Sequence, residues 1–363
     1  MSEKDTEKRS AQHAINAKLY DRAIGNPVVK VFEQTISRKL GDVPVLAING
    51  NTGALITALK TLGISSGDEV IVPAFCSPIT TSSLLSVGAM PVFVDIRLCD
   101  YAIDPAAIEK QITERTKAIM VVHLFGQPAL GISEVLKIAK RKSLPVIENA
   151  AQAFGGKITI DGKQRFVGTL GDIGCFTFFP KKPYINERGV SVMTFQNKEK
   201  LYITAKKLRA ARANSIPRET GVTAILTKLK SFDQWLEQRR ELAEYFTKQL
   251  SGIRGIILPE SHSETENTWY RYVIQVARRD ALFEHLFRTV PMHHHSRLGA
   301  YFAVLQKGHT SDDFPISEKV ASEIISLPVS ITNSLEDAAQ VVRGIKIFFE
   351  NESILFENGK LAV

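Results

Sequence analysis

Between residues 29 and 150 the chain alternates amphipathic helical stretches with short, unbroken apolar runs, and no other feature restricts its fold as much. The runs are VLAI, EVIVP, MPVFVDI, AIMVVHL and PVIEN. The stretches between them are VVKVFEQTISRKL, TGALITALKTLG, PITTSSLLSVG, DPAAIEKQI and ISEVLKIAKRK. A strand that is apolar at every position has no side to turn toward water, so both of its faces must be covered. The regular alternation predicts a mostly parallel sheet with helices on both faces, an α/β fold. Crossovers in such sheets are right-handed, and ligands bind beyond the carboxyl ends of the strands.

After Gly155 the pattern changes to short strand-like pieces, KITI, RFVG, CFTFF and VSVMTF. A helical region then runs from about Glu199 to Leu250 with a break near Pro217. The last third reads as a smaller α+β unit, with WYRYVIQV as a strand, a helix near 279–288 and a final helix through VVRGIKIFF. The expected division is an N-terminal arm (1–28), a large domain (29–240) and a small C-terminal domain (241–363).

Several function classes are disfavoured. The formal net charge of +8 comes from lysines and arginines spread along the chain, without an arginine-rich arm or zinc-finger spacing. That balance suits a cleft for an anionic small molecule better than a nucleic-acid surface. No apolar run reaches the roughly 18 residues of a membrane span, and MSEKDTEKRSAQHAINAK does not read as a secretory signal. Cys76, Cys99 and Cys175 are far apart and suggest neither a disulfide framework nor a zinc site. The expected compartment is the cytoplasm. The HHH run at 293–295 is not expected to hold a metal, because consecutive residues do not converge on one ion.

The stretch CFTFFPKKP, residues 175–183, poses a chemical question: an apolar strand ends by delivering Lys181 and Lys182. In isolation KKP reads as a solvated turn. A lysine at the end of a buried strand is also where desolvation lowers an amine's pKa, the condition for imine formation with an aldehyde cofactor.

Five segments in order, NTGALITALKTLGISSGDEVIVPAF, GAMPVFVDI, TKAIMVVHLFGQP, PVIENAAQAFGG and GDIGCFTFFPKK, resemble the DegT/DnrJ/EryC1/StrS family. These are sugar aminotransferases of the fold-type-I class that use pyridoxal 5′-phosphate (PLP). The resemblance covers about Phe32 to Phe349. It implies a Schiff-base role for Lys182, with Lys181 as a neighbour. It implies phosphate contacts from Asn51, Thr52 and Thr177, and a contact from Gln152 on the side of the cofactor's 3′-oxygen. Local sequence alone reads Thr52 equally well as a plain helix N-cap. The resemblance also implies a nucleotide-sugar substrate, glutamate as the expected amino donor, and a homodimer with its active site at the subunit interface.

The chain departs from the family pattern around the cofactor. Asn149 stands where an aspartate holds the pyridine nitrogen protonated, and a neutral amide cannot supply that counter-charge. The loss of such a pair is on the order of a few kcal/mol in a poorly solvated site. Ser77 stands where an aromatic ring stacks on the cofactor, and Phe75 lies two residues away. Phe154 replaces a common His, the glycine-rich segment after the lysine holds only Gly189, and of the segment through which a partner reaches the phosphate only Arg218 fits. Three functions follow as expectations. The first is a PLP-dependent aminotransferase acting on a nucleotide-linked keto sugar in polysaccharide or secondary-metabolite biosynthesis. The second is a non-catalytic or regulatory homologue that binds a nucleotide sugar or pairs with an active paralogue. The third is a PLP-dependent sugar dehydratase, against which the retained Lys182 weighs.

Overall fold

The computed structural model describes residues 26–50, 52–178, 189–196, 198–212, 215–290, 313–330 and 332–357. The first half runs α1 (Pro27–Lys39), β1 (Val45–Asn49), α2 (Gly53–Thr61), β2 (Glu69–Pro73), α3 (Pro78–Leu85), β3 (Met90–Val94), α4 (Pro105–Ile108), β4 (Thr116–Val122), α5 (Ile132–Lys142) and β5 (Val146–Asn149). It continues through β6 (Lys157–Ile160), β7 (Lys163–Phe166), β8 (Ile173–Phe178), β9 (Val190–Thr194), α6 (Glu199–Ala210), α7 (Glu219–Leu229) and α8 (Phe232–Leu250). The remaining elements are β10 (Thr265–Glu266), β11 (Tyr272–Gln275), α9 (Arg279–Thr289), α10 (Pro315–Glu323), β12 (Ile324–Leu327) and α11 (Leu335–Glu357).

Seven strands form one sheet in the order β1-β9-β8-β5-β4-β2-β3. β3, β2, β4, β5 and β8 pair in parallel, whereas β9 runs antiparallel to both β8 and β1. The mostly parallel α/β fold expected from the alternation is therefore present. Its two-faced burial is visible residue by residue. Val45, Ala47, Ile71, Ile119 and Val121 join one core, while Leu46, Ile48, Val70, Val72 and Met120 join another. That partition follows from successive side chains of a strand pointing to opposite faces. A third core is built from the second half of α8 with β11, β12, α9 and α11.

Several elements are shorter than the sequence pattern suggests. DPAAIEKQI forms one α-turn, capped by Asp104 through the Ala106 N–H at 3.0 Å, and then a 3-10 turn. The strand in WYRYVIQV begins only at Tyr272. The helical region 199–250 breaks between α6 and α7, and again at Lys230–Ser231. Asn26 caps α1, accepting from Val28 N–H at 3.0 Å and Val29 N–H at 3.2 Å, with Pro27 in the first turn.

Long-range hydrogen bonds join the sheet to the C-terminal part, among them two groups. Asp95, just past β3, accepts from the Ile316 and Ser317 N–H groups and from Ser317 Oγ (2.9, 2.9 and 2.6 Å), so a residue 222 positions away caps α10. The Thr268 N–H donates to Gly126 O (2.9 Å) and the Arg271 N–H to Phe125 O (3.1 Å). These bonds hold the segment before β11 against the end of β4.

Glu148 organises the centre of the sheet. Its side chain is fully buried. Oε1 accepts from the N–H groups of Leu170 (2.7 Å) and Gly171 (2.6 Å). Oε2 accepts from the Gly168 N–H (2.7 Å) and from His123 Nε2 (2.9 Å). His123 Nδ1 accepts from the Ala129 N–H at 3.0 Å, which leaves the ring proton on Nε2 to serve Glu148. Gly168 reaches the carboxylate from φ +78°, and a Cβ there would lie 2.3 Å from Phe176 Cζ. Replacing Glu148 with Gln points an amide NH2 at donors that need an acceptor, which costs about 1–3 kcal/mol for each group left unpaired. Glu148→Gln is therefore expected to lower the chemical-denaturation midpoint clearly, and a midpoint equal to wild type would contradict this account.

Glu69 contributes separately to the acid limb of stability. Glu69, buried at the start of β2, accepts from Thr113 Oγ1 at 2.6 Å and from Arg115 Nε at 2.8 Å. The Thr113 hydrogen bond, helped by Arg115 and opposed by burial, lowers its pKa from the ordinary 4.5. A depressed folded pKa stabilises the protein above the unfolded value, and that contribution is lost as pH falls through the folded one. Glu69→Gln should reduce stability at neutral pH by about 1 kcal/mol, since Arg115 is solvent-screened. The difference from wild type should shrink below about pH 4.5 in urea melts. A gap that widens on acidification would argue against it.

Candidate active site

The parallel strands β4, β5 and β8 end at one edge of the sheet, and Val122, Asn149 and Thr177 stand at or near those ends. There they border a cavity of about 150 Å³, together with Ser77, Gln152 and Tyr270. The carboxyl ends of parallel strands are where open α/β sheets bind ligands. Four residues singled out in the sequence, Ser77, Asn149, Gln152 and Thr177, thus share one cavity although up to 100 positions separate them.

Local geometry fixes what each can offer. Asn149 is buried; its Nδ2 donates to Thr80 Oγ1 at 3.1 Å, and its Oδ1 accepts from the Ala151 N–H at 3.3 Å. Gln152 lies in a turn rather than on a helix surface. Its Oε1 accepts from the Phe125 N–H at 2.7 Å, which leaves the amide NH2 as the donor it can present. Phe125 is held at φ +58°, a left-handed conformation that costs a non-glycine residue roughly 1–2 kcal/mol. Ser77 is the N-cap of α3 through a 3.4 Å contact from the Ile79 N–H.

Thr52 does occupy the N-cap position of α2, but its side chain makes no capping hydrogen bond. The reading of Thr52 as a plain cap is therefore corrected. The start of α2 packs directly on the sheet: a Cβ on Gly53 would lie 2.7 Å from Ile48 Cγ2, and the Ala54 N–H donates to Ser191 Oγ at 2.9 Å. Ser191 pairs with Thr177 in the β8–β9 register, so the N-terminus of α2 and the end of β8 lie close together. Leu55, one turn into α2, lines the cavity. Asn51, Lys181, Lys182 and the 293–295 histidines lie outside the described residues.

Phe75 does not take the place of the missing aromatic. It is buried, with its ring centroid 6.3 Å from that of Phe125. Instead the cavity has aliphatic walls from Ile79, Leu55 and Leu124. Phe154 lies in edge-on contact with Phe176, Phe178 and Phe232, so its ring serves packing. Arg218 stands exposed at the N-cap of α7.

Three contributors were not read from the sequence. His123 ends an apolar run and borders the cavity, and that position was its only local signal. Thr80 lies in the α3 stretch with nothing to mark it. Tyr270 reaches the cavity from the segment before β11, with the guanidinium carbons of Arg239 and Arg271 each 5.8 Å from its ring centroid. A second cavity of about 390 Å³ shares Gln152, Thr177 and Tyr270 with the first. Phe232, Trp235, Lys228 and Arg239 add aromatic and cationic surface to it. Burial lowers the pKa of Arg239, and its Nε has no hydrogen-bond partner among the described residues.

The residues present fit a phosphorylated pyridine aldehyde such as PLP. They provide a hydroxyl and helix N-terminus for a phosphate, amide groups from Asn149 and Gln152, and aliphatic walls for a flat ring. Among the described residues there is no group of side chains able to hold a metal ion, and no helix long and apolar enough to cross a membrane.

The chain is similar to several known proteins. The chain is 34% identical over 355 residues to a pleiotropic regulatory protein of Geobacillus stearothermophilus, with 91% of each chain covered. It is 32% identical over 318 residues to the UDP-N-acetyl-3-dehydro-alpha-D-glucosamine 3-aminotransferase of Acidithiobacillus ferrooxidans, with 81% of each covered. Among solved structures it resembles DesV of S. venezuelae, determined in complex with a ketimine intermediate. The TM-score is 0.78 at 26% identity, covering 95% of this chain and 97% of that one. With a family model matching residues 2–346, this chain belongs to the DegT/DnrJ/EryC1/StrS aminotransferase family.

Proposed function

We propose that this chain is a PLP-dependent aminotransferase that converts a keto group of a nucleotide-linked sugar into an amine. Glutamate serves as amino donor, and the product feeds surface polysaccharide or secondary-metabolite sugar biosynthesis in the cytoplasm. The observation that carries this reading is the convergence of Ser77, Asn149, Gln152 and Thr177 on one cavity at the carboxyl ends of β4, β5 and β8. The relative that acts on UDP-N-acetyl-3-dehydro-glucosamine supports the substrate class.

When bound, PLP supplies an aldehyde and an electron-withdrawing ring. Thr52, Thr177 and the backbone around residue 51 bind its phosphate at the start of α2. The Gln152 amide would offer a donor to the side of the 3′-oxygen, and Ser77 with the aliphatic walls would confine the ring. Lys182 Nζ would be the amine that holds the aldehyde and carries a proton at the donor's carbon. Glutamate leaves as its 2-oxo acid, so the nitrogen gained by the sugar is balanced by the donor's loss. The second cavity, with Trp235, Tyr270, Lys228 and Arg239, offers aromatic faces and positive charge suited to the nucleotide end of the substrate. The large domain (29–240) holds the cofactor and the small one (241–363) contributes Tyr270. Two copies associate as a two-fold dimer.

Visible absorbance after incubation with PLP, recorded before and after glutamate is added, tests the proposal. A new band that glutamate alters is expected, abolished in Lys182→Ala and retained in Lys181→Ala. A wild type that gains no band yet still binds a nucleotide sugar would replace the enzyme reading with the regulatory one. Light scattering should give a dimer, and a monomer at working concentration would count against the two-fold assembly.

A further inference from the structure

The amide of Asn149 can be oriented without ambiguity. Oxygen and nitrogen of an amide are usually assigned from their hydrogen-bond partners. Here one partner, the Ala151 backbone N–H, can only donate, so the atom facing it at 3.3 Å must be Oδ1. Nδ2 then faces Thr80 Oγ1 at 3.1 Å and gives it one proton. The reversed orientation would set two donors against each other at Ala151. Thr80 is itself fully buried, so its hydroxyl is not free to turn to solvent. Among the described residues the second Nδ2–H of Asn149 has no partner, and the residue lines the cavity. No carboxylate is among the described residues that line it.

We infer that Asn149, positioned by Thr80, presents an N–H donor to the cavity and thereby selects a heteroaromatic ring whose nitrogen is unprotonated. This rests on the reading of the cavity as the PLP pocket. An aspartate at the same position accepts a hydrogen bond and favours a protonated ring nitrogen; the amide held in this orientation does the opposite. Thr80 is thus a positioning residue, because it acts on the ring only through Asn149.

The test uses full-length protein loaded with PLP labelled with 15N at the ring nitrogen. The 15N resonance reports protonation directly and is independent of turnover. An unprotonated nitrogen is expected in the wild type at neutral pH, and a protonated one in Asn149→Asp. A second measurement compares affinities for PLP and for its 1-deaza analogue, which has C–H in place of the ring nitrogen. Wild type should bind the analogue roughly tenfold more weakly, the equivalent of one hydrogen bond. Thr80→Val, nearly isosteric, should weaken PLP binding several-fold while leaving the analogue's affinity unchanged. A protonated nitrogen in the wild type overturns the inference and leaves the cofactor reading standing. Equal losses for PLP and analogue in Thr80→Val show a merely structural role and also overturn it. Failure of the wild type to bind PLP overturns both.

Discussion

A buried carboxylate with no lysine or arginine paired to it among the described residues is the constraint on which the centre of this molecule depends. Glu148 is made tolerable by four N–H donors, three from the 168–171 turn and one from a neutral histidine. Satisfying it requires β4, β5 and the approach to β8 to sit in one arrangement, which in turn places the ends of those strands together. Because adjacent residues on a strand face opposite ways, committing Glu148 to the interior of the turn commits Asn149 to the other side, beside the cavity. The negative charge is fully engaged by its donors and cannot act as a base or counter-ion for a ligand.

The fold was legible because its signals are local and repeated. Continuous apolar runs such as EVIVP and AIMVV can be buried only on both faces, and the observed cores divide their residues accordingly. Element ends were less legible. WYRY is β-prone, but Thr268 and Arg271 hydrogen-bond to the 125–126 backbone instead of to a neighbouring strand, so pairing starts only at Tyr272. The break at Ser231 has no glycine or proline to announce it.

Asn149, Gln152 and Thr177 lie in the family-like segments and Ser77 two residues past the first of them; these could be picked out in advance, and all four line one cavity. Thr80, Ile79 and Tyr270 could not, because their importance comes from what they face across the fold. The same holds for Phe75, whose nearness in sequence to Ser77 gave no hint that its ring packs inward against Phe125. Thr52 shows the converse: its place at a helix start suggested a cap, yet in the fold the hydroxyl does not serve as one.

The cap that Asp95 places on α10 has a consequence for recombining this chain with its relatives. α10 has no side-chain cap of its own and takes its first-turn acceptor from a residue at the edge of the sheet. A chimera that joins the first half of one homologue to the second half of another therefore inherits a foreign cap. Crossovers between residues 95 and 315 are safest when both parents carry an acidic residue at the first position and a small hydroxyl residue at 317. Where they do not, the hybrid leaves N–H groups at a helix start without an acceptor, and the seam between the halves becomes the part that opens first.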